Sequence, residues 1–239
     1  MTMGTSLNIL HECSPTLSVG IISADLMSLG SELALLERAG IKVLHFDVMD
    51  GCFTPMLTVG LPFINGIKTT MLKDVHLMIN DQDEKAADYI AAGADMITIH
   101  VEACNDALRT LSGLGRMENA NDPARGLIRG AAINPGTEVN VLEPLLDNLE
   151  MIVLLAVDPI AGENPTMDDT RQRFSRIKEM VSRAEKDTVI CIDGGVKRNN
   201  IDDYAAIGAD LLVSGSAIFR GSPEENVRFM FDAMKPRYR

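Results

Sequence analysis

The stretch that decides the fold is IAAGADMI at residues 90–97, where a helical segment ends near Gly93 and an apolar run follows. Glycine suits this position because the residue after a helix commonly takes a left-handed conformation, which is cheap only without a Cβ. The same pattern recurs as LERAGIKVL at residues 36–44 and as AAIGADLL at residues 205–212. A short turn from a helix into a buried parallel strand, repeated along one chain, predicts a repeated strand–helix architecture.

Eight apolar runs are strand candidates, and their starts lie roughly 20–40 residues apart, as a strand–helix–strand unit requires. They cover residues 19–23, 43–49, 75–79, 96–101, 127–134, 151–157, 188–193 and 211–214. Eight such units in 239 residues close more naturally into a barrel than into an open sheet. A doubly wound sheet is the weaker alternative, since no GxGxxG follows the first run. We therefore predict an α/β fold, a single-domain TIM (β/α)8 barrel over residues 19–239, after an N-terminal extension over residues 1–18.

The charge and the cysteines of the chain restrict its partners and its compartment. A net charge of −12 argues against general binding to nucleic acid or to a membrane surface. No apolar run reaches the roughly 18 residues of a membrane-spanning helix. An anionic substrate would need local help from backbone N–H groups or from a metal ion. The four cysteines show no CxxC spacing, which predicts reduced thiols and a cytoplasmic protein.

The residues with the clearest chemistry lie in or at the ends of predicted strands. His45 and Asp47 are two apart in one strand and so face the same way, and His76 and Asp193 belong to the third and seventh strands. On a barrel the C-terminal ends of the strands form the functional face, so we expect these four side chains to converge on one divalent ion. Two imidazoles and two carboxylates suit Zn, Fe, Mn or Co, and the sequence does not choose among them. A lone histidine is more often an ordinary core residue, but this combination favours a metal site.

A second group of residues is suited to binding an anion. The sequence DGG at residues 193–195 follows the seventh predicted strand, and SGS at residues 214–216 follows the eighth. Small residues let backbone N–H groups approach a phosphate, and the loops after strands seven and eight are the usual phosphate site of such barrels. We predict phosphate binding at Gly194, Gly195, Gly215 and Ser216. The sequence NPGT at residues 134–137 is interpreted as a simple turn, because Pro-Gly is a strong turn signal.

Seven segments, taken together, resemble the ribulose-phosphate 3-epimerase family. They are ISAD (22–25), LHFDVMDG (44–51), DVHLM (74–78), ITIHVEA (97–103), INPGT (133–137), IDGGV (192–196) and SGSAIF (214–219). The resemblance implies an isomerase of carbohydrate metabolism, in the pentose phosphate pathway, that converts D-ribulose 5-phosphate to D-xylulose 5-phosphate with one divalent metal ion. It implies that His45, Asp47, His76 and Asp193 bind the metal. It also implies that Asp47 and Asp193 transfer protons through a metal-stabilised enediolate.

The resemblance extends to the surroundings of the reacting carbon. It implies that Met49 and Met78 line the substrate site, and that Gly162 belongs to a loop that closes over the substrate and helps to hold its phosphate. Family members associate, so a homo-oligomer is expected.

Several positions depart from the family pattern, and they concern substrate recognition. Gly20 stands where a substrate-contacting serine is usual, and Cys52 and Met56 replace polar residues of the rim. The sequence PIAGEN at residues 159–164 replaces a glycine-rich loop, and its Glu163 would place negative charge near a phosphate.

These departures leave alternatives open. One is an epimerase for a hexulose 6-phosphate, of the allulose 6-phosphate type. Another is a sugar-phosphate-binding homologue with low turnover. A metal-free barrel such as a decarboxylase is disfavoured, because no catalytic lysine accompanies the HFD sequence at residues 45–47.

Overall fold

The computed structural model describes residues 5–161 and 164–235, and its centre is a closed barrel of eight parallel strands. The strands are β1 (Thr16–Gly20), β2 (Val43–Met49), β3 (Leu72–Met78), β4 (Met96–His100), β5 (Ile128–Ile133), β6 (Met151–Leu155), β7 (Val189–Asp193) and β8 (Leu211–Ser214). Each strand pairs with the next along the chain, and β8 closes the barrel by pairing with β1. The predicted TIM barrel is confirmed.

Helices follow the strands in the order that the predicted repeat requires. Within the described residues they are α1 (Ser6–Cys13), α2 (Leu29–Arg38), α3 (Leu61–Gly66), α4 (Gln82–Ala91), α5 (Ala107–Leu114), α6 (Met167–Arg183), α7 (Ile201–Ile207), α8 (Ser216–Phe219) and α9 (Pro223–Met234). Between β5 and β6 the chain forms a 3-10 helix, Val139–Asn148, which contains Pro144. Proline has no N–H to donate and its ring crowds the preceding turn, so a regular α-helix is disfavoured through this segment. None of the described helices is long and apolar enough to cross a membrane.

The helix–glycine–strand junctions that predicted the fold take the expected conformation. Gly93 follows α4 with a φ of +98°, and Gly208 follows α7 with a φ of +86°. Both angles lie in the left-handed region, where a side chain would be strained. The junctions therefore end each helix and direct the chain into the next strand.

Two strands begin earlier than predicted. β1 begins at Thr16 instead of residue 19, and it ends at Gly20 because Ile21–Ser23 form a 3-10 helix. β3 begins at Leu72 instead of residue 75, and it includes Lys73 and Asp74, two charged residues that a search for apolar runs excludes. Lys73 is nevertheless buried, because its ammonium donates to a backbone carbonyl.

The inside of the barrel is filled from its N-terminal end. The residues that start β2 to β8 belong to one buried cluster: Val43, Leu72, Met96, Ile128, Met151, Val189 and Leu211. Leu10 of α1 is fully buried in the same cluster. Helix α1 therefore covers the N-terminal end of the barrel, while the opposite end stays available for chemistry. The predicted boundary between residues 18 and 19 falls inside β1.

Candidate metal centre and active site

Strand register brings the predicted metal-binding residues together. In the pairing of β2 with β3, His45 lies beside Asp74 and Asp47 lies beside His76. Alternate residues of a strand share a face, so these side chains point to the same side, into the barrel. Asp193 ends β7 and reaches the same place. Three separate strands thus contribute to one site at the C-terminal end of the barrel.

The four predicted ligands form a compact cluster of donor atoms, all within 4.8 Å of one another. His45 Nε2 lies 3.1 Å from Asp47 Oδ1 and 3.4 Å from Asp193 Oδ2. His76 Nδ1 lies 3.0 Å from Asp193 Oδ2 and 3.7 Å from Asp47 Oδ1. Metal–ligand bonds of about 2.0–2.2 Å place neighbouring ligands roughly 3–3.5 Å apart, so these residues fit a single divalent ion.

His45 is held from its other side by a buried carboxylate. Asp74 Oδ2 lies 2.7 Å from His45 Nδ1 and also accepts a hydrogen bond of 2.9 Å from the Ser18 hydroxyl. Such a partner favours the tautomer protonated at Nδ1, which leaves Nε2 facing the donor cluster. Burial alone lowers the pKa of His45, but the nearby carboxylates of Asp74, Asp47 and Asp193 outweigh it and raise that pKa well above its usual value.

The two predicted catalytic carboxylates have different surroundings. Burial raises the pKa of Asp193, but the charge and hydrogen bond of His45, with further help from His76, lower it well below its usual value. The side chain of Asp47 is 19% exposed, against 10% for Asp193, so Asp47 is the more open of the two. Unequal surroundings allow two carboxylates to hold different protonation states.

His76 has a second set of partners on the side away from the cluster. Its Nε2 lies 2.9 Å from Nε2 of His100, and His100 Nδ1 lies 3.1 Å from Glu102 Oε2. Glu102 also accepts hydrogen bonds from the backbone N–H of Asn134 and the hydroxyl of Thr137. Burial raises the pKa of Glu102, but the hydrogen bonds from these three partners lower it below its usual value. Burial is the main cause that lowers the pKa of His100.

Sequence reasoning assigned no role to Asp74, His100 and Glu102, the neighbours of the predicted ligands. The pattern nevertheless contained a signal, because Asp74 stands two residues before His76 and Glu102 stands two residues after His100. Asp74 and His76 therefore share one face of β3, whereas Glu102 lies just beyond the end of β4, in the 3-10 helix Val101–Ala103. The sequence could not show which strand each pair would meet, so the partners were missed.

The predicted phosphate residues lie in adjoining loops after β7 and β8. A Cβ on Gly194 would lie 2.9 Å from the Val157 side chain, and one on Gly215 would lie 2.8 Å from Ser23 Oγ. Both positions therefore exclude a side chain. Ser216 begins α8, which has only four residues, so the helix at this position is a single turn. Gly195 also has a positive φ, of +72°.

Cationic side chains beside Ser216 were not predicted. Lys197, Arg198 and Arg220 line a cleft of about 360 Å³ that also includes Ser216. Arg198 is held in place by a hydrogen bond of 2.7 Å to Asn226 Oδ1. This positive charge lies next to the loops predicted to bind phosphate, and it counteracts the net charge of −12 for an approaching anion.

The remaining predicted residues lie around the mouth of the barrel. Met49 and Met78 are paired at the ends of β2 and β3, and Met78 is buried. Cys52 and Met56 are exposed in the loop after β2, as expected for the rim. Gly162 and Glu163 lie outside the described residues.

Comparison of the sequence with known proteins gives a consistent picture. The family model described as the ribulose-phosphate 3 epimerase family matches residues 16–219. The Escherichia coli (strain K12) ribulose-phosphate 3-epimerase is 38% identical over 202 residues, which cover 83% of this chain and 86% of the relative. The Bacillus subtilis (strain 168) ribulose-phosphate 3-epimerase is 34% identical over 202 residues, with 83% and 89% covered. A Salmonella typhi protein that is named as an epimerase (LsrE), without a substrate, is 36% identical and 85% of this chain is covered.

Comparison with solved structures adds support for the fold alone. The structure of KGPDC from Streptococcus mutans matches with a TM-score of 0.66 at 15% identity, and covers 93% of this chain and 98% of that one. Phosphoribosyl anthranilate isomerase from Thermus thermophilus matches with a TM-score of 0.61 at 13% identity, and covers 92% and 98%.

Proposed function

The chain belongs to the ribulose-phosphate 3-epimerase family, and on that premise we propose that it is an isomerase that inverts C3 of a ketose phosphate. We propose D-ribulose 5-phosphate and D-xylulose 5-phosphate as the reacting pair. The observation that carries this proposal is the donor cluster of His45, Asp47, His76 and Asp193 at the mouth of the barrel. The family's chemistry needs such a cluster, and the described residues contain it complete.

Epimerisation beside a carbonyl requires one group that removes a proton and another that returns one from the opposite face. We assign these roles to Asp47 and Asp193, with Asp47 as the base and Asp193 as the acid in one direction and the reverse in the other. An enediolate links the two steps. General acid–base catalysis typically contributes about 10²–10⁴-fold, so the charge that develops on the substrate also needs stabilisation.

The same residues would hold the metal ion. When it is bound, a divalent ion such as Zn, Fe, Mn or Co would act as a Lewis acid toward the oxygen atoms of the substrate. The chain itself supplies orientation, because Asp74 holds His45 and His100 contacts His76.

For the phosphate group we propose the backbone around Gly194, Gly195, Gly215 and Ser216. The small residues at these positions permit close approach of an anion, and the cleft lined by Lys197, Arg198 and Arg220 adds positive charge beside them. Gly162 stays a prediction for the same role, and so do Met49 and Met78 for the substrate site.

A hexulose 6-phosphate is the second candidate substrate. Gly20 has no side chain, and a Cβ there would lie 3.2 Å from the Cα of Gly215. The end of β1 is therefore packed against the backbone of the loop after β8. A longer sugar would instead extend over the rim, where Cys52 and Met56 are exposed.

The test is solvent exchange at C3. We expect the purified protein, supplied with Zn²⁺ or Mn²⁺, to exchange the C3 hydrogen of D-ribulose 5-phosphate in D2O at an enzyme-like rate, followed by NMR. If only allulose 6-phosphate shows exchange, the hexulose 6-phosphate is the substrate and D-ribulose 5-phosphate is not. If neither sugar exchanges while the protein is folded and binds metal, the epimerase proposal is wrong and a binding role replaces it.

Two other expectations stay predictions. The four cysteines are free thiols, which agrees with the reducing conditions of the predicted cytoplasmic location. A homo-oligomer that binds only a small-molecule sugar phosphate is likewise still a prediction.

A further inference from the structure

His76 and His100 lie side by side in the fully buried part of the site. Both have no solvent exposure, their ring planes are within 9° of parallel, and their Nε2 atoms are 2.9 Å apart. At that distance one nitrogen has to donate a hydrogen bond and the other has to accept it. The direction of this one hydrogen bond therefore decides which nitrogen of His76 carries the proton.

Glu102, at the other end of this chain of hydrogen bonds, sets the direction of the hydrogen bond between His76 and His100. Its Oε1 accepts from the Asn134 N–H, at 2.7 Å, and from the Thr137 hydroxyl, while its Oε2 lies 3.1 Å from His100 Nδ1. A carboxylate only accepts, so His100 carries its proton on Nδ1 and offers the lone pair of Nε2. Without an ion, Asp193 Oδ2, 3.0 Å from His76 Nδ1, competes for the same proton. With a divalent ion bound, Asp193 would be a ligand instead of a hydrogen-bond acceptor, so His76 would donate through Nε2 and turn the lone pair of Nδ1 toward the ion.

The turn at residues 134–137 anchors this chain of hydrogen bonds. Besides the two bonds that it gives to Glu102, it is itself held by Arg173 of α6, whose guanidinium donates to the carbonyls of Asn134, at 2.9 Å, and Pro135. The NPGT sequence therefore does more than reverse the chain. It connects an outer helix to the position of Glu102.

We infer that Glu102 and His100 are positioning residues that hold His76 in the tautomer with a free Nδ1, and so raise the affinity of the site for a divalent ion. The inference rests on the proposed metal site. It adds two residues that would not touch the ion.

The variant Glu102→Gln tests this inference with almost no change in shape. Asn134 N–H and the Thr137 hydroxyl both donate, so the carboxamide has to turn its oxygen toward them and its NH2 toward His100. That reverses the chain of hydrogen bonds and places the proton of His76 on Nδ1. We expect the Kd for Zn²⁺ to rise about 10–100-fold, measured by competition with a chromogenic chelator. Glu143→Gln, at an exposed position, is the matched control and should leave the Kd unchanged.

Histidine NMR supplies a readout that a merely structural role would not change. In the Zn²⁺-loaded wild type we expect the His76 proton on Nε2, detected through ¹⁵N chemical shifts, and in Glu102→Gln a loss of that signal. If Glu102→Gln does not fold, Thr137→Val removes a single donor to Glu102 at a partly exposed position. This milder change should raise the Kd roughly 2–10-fold.

The outcomes separate this inference from the proposed function. The inference alone would be overturned if folded Glu102→Gln has a Zn²⁺ Kd within about twofold of wild type and still has His76 protonated on Nε2. If Glu102→Gln does not fold, the same result for Thr137→Val would overturn it. A wild-type protein that fails to bind stoichiometric Zn²⁺ would instead contradict the metal site, and with it the proposed function.

Discussion

At the scale of the residue, the two histidines of the donor cluster, His45 and His76, present opposite nitrogens to it. His45 uses Nε2 because Asp74 occupies its Nδ1, and His76 uses Nδ1 because its Nε2 faces His100. The two rings are therefore not interchangeable, although both are buried histidines on neighbouring strands. A partner that holds the second nitrogen both orients the ring and sets its tautomer.

Asp193→Asn tests the assignment of the reacting carboxylates. Asparagine keeps the shape of the side chain but cannot accept or return a proton as a carboxylate does. We expect C3 exchange to fall by at least about 10²-fold, since general acid–base catalysis contributes that much. The measurement is NMR exchange in D2O, with circular dichroism to verify the fold.

Asp88→Asn is the matched control, because Asp88 is exposed on α4. It should retain wild-type exchange. Full exchange in a folded Asp193→Asn protein would remove Asp193 from the mechanism.

At the scale of the element, α4 organises the ends of β3 and β4, the strands that carry His76 and His100. Gln82 is fully buried, and its side-chain NH2 donates to the carbonyls of Leu77 and Ile79 at the end of β3. Its side-chain oxygen accepts from the backbone N–H of His100 at the end of β4. One residue thereby satisfies backbone groups of both strands, which would otherwise be buried without partners.

Asp83 extends this role of α4 to the segment that leads into α5. Its carboxylate accepts from the Asn105 N–H at 2.8 Å and from the Thr110 hydroxyl at 2.5 Å. Burial raises the pKa of Asp83, but these hydrogen bonds, that of Thr110 first, outweigh it and lower the pKa below its usual value. We expect Asp83→Asn to lower the free energy of unfolding by about 1–3 kcal/mol at neutral pH, measured by urea denaturation.

The sign of the pH dependence follows from the lowered pKa. The stabilisation by Asp83 is present above the pKa of the unfolded state, about 3.9, and is lost as the pH falls through the lower pKa of the folded state. The difference between wild type and Asp83→Asn should therefore shrink below about pH 4. A difference that stays constant down to acid pH would contradict this account, and Asp88→Asn on the same helix should show no difference at neutral pH.

At the scale of the whole molecule, the two ends of the barrel have separate tasks. Leu10 of α1 is buried among the residues that start the strands, and the donor cluster lies at the other end. Stability and chemistry are thus placed at opposite ends, which is usual for this fold.

Leu10→Ala measures the contribution of α1. Truncating a fully buried leucine leaves a cavity, so we expect a loss of about 2–5 kcal/mol in the free energy of unfolding. The measurement is chemical denaturation of the metal-free protein. Leu57→Ala is the matched control, since Leu57 is 80% exposed, and it should change stability by less than about 0.5 kcal/mol. If Leu10→Ala loses no more free energy of unfolding than Leu57→Ala, the contact of α1 with the barrel does not stabilise the protein.

The barrel and the four donor residues could be predicted from the sequence because both depend on local patterns. A glycine after a helix and an apolar run after the glycine mark each βα unit, and alternation within one strand places His45 and Asp47 on one face. The starts of β1 and β3 were wrong, since tertiary packing buries polar residues that an isolated sequence would leave in water. These are Thr16 and Ser18 of β1, and Lys73 and Asp74 of β3.

Only the tertiary structure decided how the residues of the donor cluster are supported. Asp74 meets His45 because of the register of β2 with β3, and Glu102 meets the turn at residues 134–137 because β4 lies beside β5. The direction of a hydrogen bond between two histidines depends on partners distant in the chain, which periodicity does not encode. The sequence by itself determined which groups were available for chemistry. The closed barrel decided which atoms of those groups face one another in the donor cluster, because closure sets the neighbours of every strand.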